Sequence, residues 1–235
     1  TCYAKYNITA NTKSQAGNMR QNGVIPVQKE QSLPLVMYVE HNAQKGGSVF
    51  SLKDLVVGLK GEVRPVVCQF SDAEFAGMFE ELGVEVLTVP FRVFKYTKPA
   101  LPFCQGRLGT ELMLARRWVF NTIPLVMIFY GIFRRHRPAL IHLNDHINYH
   151  RGEIVAAGIA GIPCVCHMRE IRDKLHPLEL WASQFVSRFV AISQAVKDSA
   201  IKAGLPENRI NVVQNGICFP TSRGFGMEKN VLRNR

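Results

Sequence analysis

The stretch that most constrains how this chain can fold runs from Phe189 to Gly216. It reads Phe189-Val-Ala-Ile-Ser193, then a polar–apolar run to Gly204-Leu-Pro206, then Arg209-Ile-Asn-Val-Val-Gln-Asn215-Gly216. An apolar run of strand length ends on a serine placed to cap a helix. Gly-Leu-Pro stops that helix, and a second strand leads into a tight Asn-Gly turn. Two strands joined through a helix require a crossover, and crossovers build parallel sheets.

The same alternation is legible upstream. Strands are expected at 33–40, 63–69, 84–89, 139–143, 163–168, 186–192 and 210–213. The first is followed by Gly46-Gly47, and Ser48 is expected to cap a helix on which Val49, Leu52, Val56 and Leu59 recur at helical spacing. Ser71-Asp-Ala-Glu74 reads as a capping box, followed by Phe75, Met78, Phe79 and Leu82 on one face and stopped at Gly83. Further helices are expected at 112–117, 124–136, 152–160 and 194–203, and residues 91–109 read as loop. The expected fold class is α/β, a Rossmann-like, mostly parallel sheet flanked by helices, over residues 33–217. A polar, irregular leader occupies 1–32 and a short tail 218–235.

Charge is unevenly spread. Residues 91–137 hold nine Lys/Arg against Glu111 alone, a net +8, whereas 33–90 hold four bases and eight acids, a net −4. Such a block fits either a solvated basic face or an anionic partner. Nucleic acid is disfavoured as that partner, because aromatic residues do not interleave with the bases in a stacking pattern. The apolar run 118–133, bracketed by Arg116-Arg117 and Arg134-Arg135, suggests an anionic membrane surface. A helix over 124–136 would be about 20 Å long against about 30 Å of hydrocarbon, so it is buried or interfacial rather than spanning.

Six cysteines, at 2, 68, 104, 164, 166 and 218, form no Cys-x-x-Cys pair or Cys/His series, so no metal ligands are assigned. Cys68, Cys164 and Cys166 lie in apolar runs as small core residues, which fits a reducing, cytoplasmic setting. No secretory signal is read, so the sequon Asn7-Ile-Thr9 counts as chance.

Two clusters carry the chemistry. Ile141-His-Leu-Asn-Asp-His146 puts Asn144, Asp145 and His146 at the carboxyl end of the fourth strand. Pro163-Cys-Val-Cys-His167-Met-Arg169-Glu170 does the same for His167, Arg169 and Glu170 on the fifth. Ligands of open parallel sheets bind beyond those ends. Each residue also has a plain local alternative: Asp145 with His146, or Arg169 with Glu170 or Asp173. His142 reads as a packed histidine. Gly46 and Gly47, opening a helix after the first strand, leave bare N–H groups and a helix dipole facing an anion, although G-x-G-x-x-G is absent.

Together these features resemble the N-terminal, acceptor-side domain of family 4 glycosyltransferases of the GT-B fold. The resemblance covers residues 33–220. Its most specific parts are Gly161-Ile-Pro163…His167-x-Arg169-Glu170 and the Ser193-to-Gly216 segment. It implies retaining transfer of a sugar from a nucleotide-sugar donor to a polysaccharide or lipid-linked acceptor, with no cofactor or metal required. It implies that His167 is the catalytic histidine facing the transferred sugar, that Gly46 and Gly47 approach the donor diphosphate, and that Arg169 and Glu170 lie on the acceptor side. Asn144, Asp145 and His146 join them as candidate acceptor-binding residues.

The family's second domain, which binds the nucleotide, has no counterpart in the 15 residues after Pro220. The expectation is a fragment, or one half of a split enzyme completed by a separate C-terminal half and inactive alone. Its setting would be cytoplasmic and peripheral on the inner face of a membrane. Two other readings stand beside it: a non-catalytic basic module that binds anionic membrane, and half of a sugar-nucleotide epimerase.

Overall fold

The structure is a computed structural model that describes residues 33–71, 73–91, 109, 112, 116 and 118–216. The leader 1–32, most of the helix expected at 112–117, nearly all of the loop 91–109, Asp72 and the tail 218–235 lie outside the described residues.

Seven strands form one sheet: β1 (Leu35–Val39), β2 (Arg64–Phe70), β3 (Glu85–Val89), β4 (Leu140–Leu143), β5 (Cys164–Met168), β6 (Arg188–Ala191) and β7 (Ile210–Val212). Their order is β3-β2-β1-β4-β5-β6-β7, and every neighbouring pair is parallel. The order reverses between β1 and β4, so the loops leaving these two strands diverge and open a crevice at their carboxyl ends.

Alternation along β1 shows why the sheet needs helices on both faces. Leu35, Met37 and Val39 enter one buried cluster with Phe129, Phe133 and Ile154. Val36 and Tyr38 enter the other with Val49, Leu52, Phe75 and Phe79. Helices α1 (Gly47–Gly58) and α2 (Ala76–Glu80) cover the second face. Helices α3 (Ile123–His136) and α4 (Arg151–Ala160) pack on the first, joined by α5 (Pro177–Ala182) and α6 (Gln194–Lys202). A methyl group at Gly152 would meet Leu125 Cβ at 2.5 Å, so the α3–α4 contact depends on that glycine.

Several expectations are corrected. Ser48 does not cap α1. Gly46 is the N-cap, and the Ser48 hydroxyl instead accepts a hydrogen bond from Asn42 Nδ2 at 2.8 Å. Ser71 and Glu74 do not begin α2, whose N-cap is Phe75. Backbone bonds from Ala73 N to Phe70 O and from Glu74 N to Ala43 O tie that segment to β2 and to the loop after β1. Helix α3 is preceded by a π-helical turn, Trp118–Thr122. The sequence reading has no counterpart for α5, which is closed by a capping box of His176 and Glu179. By contrast, α6 starts on Ser193, whose hydroxyl accepts from Val196 N, as its sequence announces.

Candidate functional site at the carboxyl edge of the sheet

The loop after β1 starts with Glu40 and the loop after β4 with Asn144, so the crossover reversal sets two polar residues side by side. Both are completely buried. Asn144 Nδ2 donates to Glu40 Oε2 at 2.5 Å and to the Ser48 carbonyl at 3.0 Å. Those two acceptors fix the amide's orientation and turn its oxygen toward β5. There Arg169 donates to Asn144 Oδ1 at 2.7 Å and to its backbone carbonyl at 3.1 Å. The Arg169 guanidinium also lies 3.4 Å from His167 Nδ1. A guanidinium only donates, so Nδ1 accepts and the ring proton sits on Nε2. Glu40, Asn144, Arg169 and His167 thus form one chain of hydrogen bonds across β1, β4 and β5.

His167 Nε2 is buried and has no partner among the described residues. The ring stacks edge-on against His142 at 5.5 Å, and His142 in turn lies against Tyr38. Burial, reinforced by the positive charge of Arg169, lowers His167 to about 2 and His142 to about 3, so both rings are neutral. Burial also lowers Arg169 from its ordinary value, opposed by Glu40 and Asp145. His142 is the packed histidine expected, although it touches the candidate residue His167.

The remaining predicted residues are distributed as follows. Asp145 accepts from the backbone N–H of His146 at 2.7 Å and from Asn42 Nδ2 at 3.4 Å. His146 is buried, with its ring 2.8 Å from Asn148 Oδ1, and burial lowers its pKa. Glu170 does not pair with Arg169; it takes Arg172 at 2.6 Å on the half-exposed rim, while Asp173 takes Lys202. Gly46 and Gly47 stand at the start of α1, as expected. No side chain caps that end, and a Cβ on either glycine would meet nothing within 4 Å. The Gly46 N–H is not bare, however: it donates to the Gln44 carbonyl at 2.9 Å. Cys68, Cys164 and Cys166 are buried free thiols; burial pushes Cys68 up to about 12 and raises the other two well above the ordinary thiol value. A cleft lined by Ser187, Arg188 and Arg209 lies at the amino end of β6, away from these residues.

Sequence reasoning missed Glu40, His41, His150 and Glu153. Glu40 looks like the polar end of a strand until β4 arrives beside it. His41 Nε2 lies 2.6 Å from Glu153 Oε1, a contact spanning 112 positions of sequence. The only local signal was His150-x-x-Glu153, one turn apart at the start of α4. Burial alone would raise Glu153, but His41 and His150 outweigh it and hold the carboxyl at about 2. No described helix is long and apolar enough to cross a membrane.

The chain is similar to several solved structures. Anabaena HepE, solved with UDP and glucose, shares 23% identity at a TM-score of 0.55, over 78% of this chain and 45% of that one. The lipopolysaccharide outer core galactosyltransferase WaaB shares 13% at 0.52, over 80% and 47%. A UDP-N-acetylglucosamine 2-epimerase shares 14% at 0.52, over 78% and 49%. At such identities the likeness is one of fold, and the chain spans about half the length of these proteins. No curated protein sequence matches it. The profile of Glycosyltransferase Family 4, however, matches residues 46–218, from the glycine pair to just beyond the Asn-Gly turn, well over half of the sequence. The chain therefore belongs to glycosyltransferase family 4 and folds as a Rossmann-like half of the GT-B type.

Proposed function

We propose that this chain is the acceptor-side domain of a retaining glycosyltransferase. The enzyme moves a sugar from a nucleotide-sugar donor to a polysaccharide or lipid-linked acceptor. One observation carries the reading: His167 Nε2 is a buried donor without a partner among the described residues, at the end of β5, with its tautomer held by Arg169. An orphaned buried donor calls for a group to satisfy it. A sugar hydroxyl delivered there would supply that acceptor, and a neutral ring can donate to it without titrating in the working pH range.

The uncapped N-terminus of α1 takes the donor diphosphate on its N–H groups from Gly47 onward, where the helix dipole favours negative charge. That arrangement needs no cation at the diphosphate. Asp145 and the Glu170–Arg172 rim bind the acceptor. Asn144, His146 and Arg169 act from behind, as positioning residues. The donor nucleotide is held by a second domain, in the same polypeptide or in a separate one. The enzyme works in the cytoplasm at the inner membrane face. Its membrane contact is the outer side of α3, where exposed Ile123, Met127 and Tyr130 lie between Arg116 and Arg134.

The test is turnover of residues 1–220 fused after Pro220 to a donor-binding half from a family member, with the transferred sugar read by mass. Transfer with retention supports the reading. A likeness in fold to a 2-epimerase favours the second reading, half of an epimerase. Epimerised donor without transfer would install that reading instead.

A further inference from the structure

A second set of titratable side chains converges beside the hydrogen-bond chain described above. His41 follows β1, His150 is the N-cap residue of α4, and Glu153 lies in the first turn of that helix. One donor atom from each falls within 4.8 Å of the other two. His41 Nε2 is 2.6 Å and His150 Nδ1 3.9 Å from Glu153 Oε1. The side chains of His150 and Glu153 are wholly buried, and that of His41 is 10% exposed.

The set is under-satisfied as protein alone. Both nitrogens of His150 and the second oxygen of Glu153 are buried without a hydrogen-bond partner among the described residues. Native interiors rarely leave three such atoms in one place, because each forfeits its bonds to water. The single short contact from His41 answers only one oxygen. The rings make aromatic contacts: the His41 ring lies against Phe70 at 4.3 Å and edge-on to His150 at 4.6 Å.

We propose that His41, His150 and Glu153 are ligands of a divalent transition-metal ion, of the zinc class. Two imidazoles and one carboxylate are borderline donors, which suit zinc, cobalt or iron(II) and disfavour magnesium and calcium, the ions of all-oxygen sites. Bonds of about 2.0–2.1 Å in a tetrahedron place ligand atoms about 3.4 Å apart. The observed 2.6 and 3.9 Å separations bracket that value, while the set as a whole spans up to 4.8 Å, so binding must draw the side chains together by about 1 Å. The ion would take the Glu153 carboxylate and one nitrogen of His150, engaging part of this set; the other His150 nitrogen keeps no partner among the described residues. Three protein ligands leave one coordination position for water or a substrate oxygen.

The place gives the ion a purpose. His41 sits between Glu40 and Asn42, and both neighbours bond into the loop that leads to α1. Fixing His41 to α4 would rigidify that loop and hold the Gly46–Gly47 end in position. The site is separate from the diphosphate-facing N–H groups, and its existence does not depend on the reaction proposed above.

The experiment uses the full 235-residue chain, stripped with chelator and titrated with zinc or cobalt(II) ions. We expect one equivalent bound with a Kd below about 1 μM. We also expect a melting temperature raised by several degrees at saturating zinc, as binding to the native state alone requires, and a cobalt visible spectrum of tetrahedral type. His41→Ala, the mildest change because it lies on a loop, should weaken binding by at least about 100-fold. Glu153→Gln should do the same, whereas His136→Ala at the end of α3 should bind like wild type. If Glu153→Gln does not fold, the wild-type thermal shift and His41→Ala still decide. Less than a tenth of an equivalent bound, binding unaffected by His41→Ala, or magnesium binding as tightly as zinc would each overturn the assignment.

Discussion

Two regions of this molecule break the rule of apolar inside and polar outside, in opposite senses. At the carboxyl ends of β1, β4 and β5, Glu40, Asn144, His150, Glu153 and His167 are buried. On the outer side of α3 and the turn before it, Val119, Phe120, Ile123, Met127 and Tyr130 are exposed, Met127 by 70%. The first region carries its cost in desolvated polar groups and is held by directional hydrogen bonds. The second gives up hydrophobic stabilisation without any compensating bond inside the described chain. Changes in the first should therefore be severe and specific, and changes in the second mild for folding.

The comparison breaks most sharply at Asn144. Asn144→Leu would strip Glu40 and Arg169 of their shared partner, leaving a buried and a half-buried charged group under-satisfied. Denaturant unfolding should show a loss of about 3–5 kcal/mol, and a loss below 1 kcal/mol would mean that the chain of bonds is not structural. Next comes His167. In the fused enzyme, His167→Ala should lower kcat about 100-fold or more, as loss of one transition-state donor does. Asp145→Ala and His146→Ala should cost less. Equal, small effects from all three would return His167 to packing.

Acid sharpens the contrast further. His142 and His167 have folded pKa values of about 3 and about 2, depressed below the unfolded value of about 6.5. On acidification the unfolded chain takes up these protons first, so stability is full above about 6.5 and falls below it. Each ring approaches about 1.4 kcal/mol per pH unit. Unfolding measured between pH 7 and 5 should show falling stability, to which the buried His146 and His150 add in the same direction, and replacing His142 with a well-packed apolar residue should remove one ring's share of the slope.

The α3 side predicts smaller effects. Charge reversal at Arg134 and Arg135 should weaken binding to anionic vesicles by about 1 kcal/mol per base, with wild-type binding falling as salt rises. Absence of binding by the folded chain would remove the membrane contact. Smallest of all, Met127→Gln should change stability by no more than about 0.5 kcal/mol. A larger loss would mean that this face is covered.

Legibility followed the same divide. Helix α6 could be read to its cap because Ser193 answers an N–H only three residues on. Strand positions followed from runs of apolar residues, and the parallel sheet from their spacing. The cap of α1 was misread because Ser48's hydroxyl is claimed by Asn42, six residues away, as the loop folds back. Asn144, His167 and Arg169 could be placed at the carboxyl edge because strand ends are marked in sequence. Glu40 was not, since nothing near it announces that β4 will lie alongside.

Local order, the α/β alternation and the polar strand ends were thus determined by the sequence itself, because periodicity and capping act over a few residues. The joining of Glu40 to Asn144 and of His41 to Glu153, over more than 100 positions, was decided only in three dimensions. The reason is the reversal of strand order between β1 and β4. It brings two distant loops to one edge of the sheet, where burial then makes their few polar atoms depend on each other.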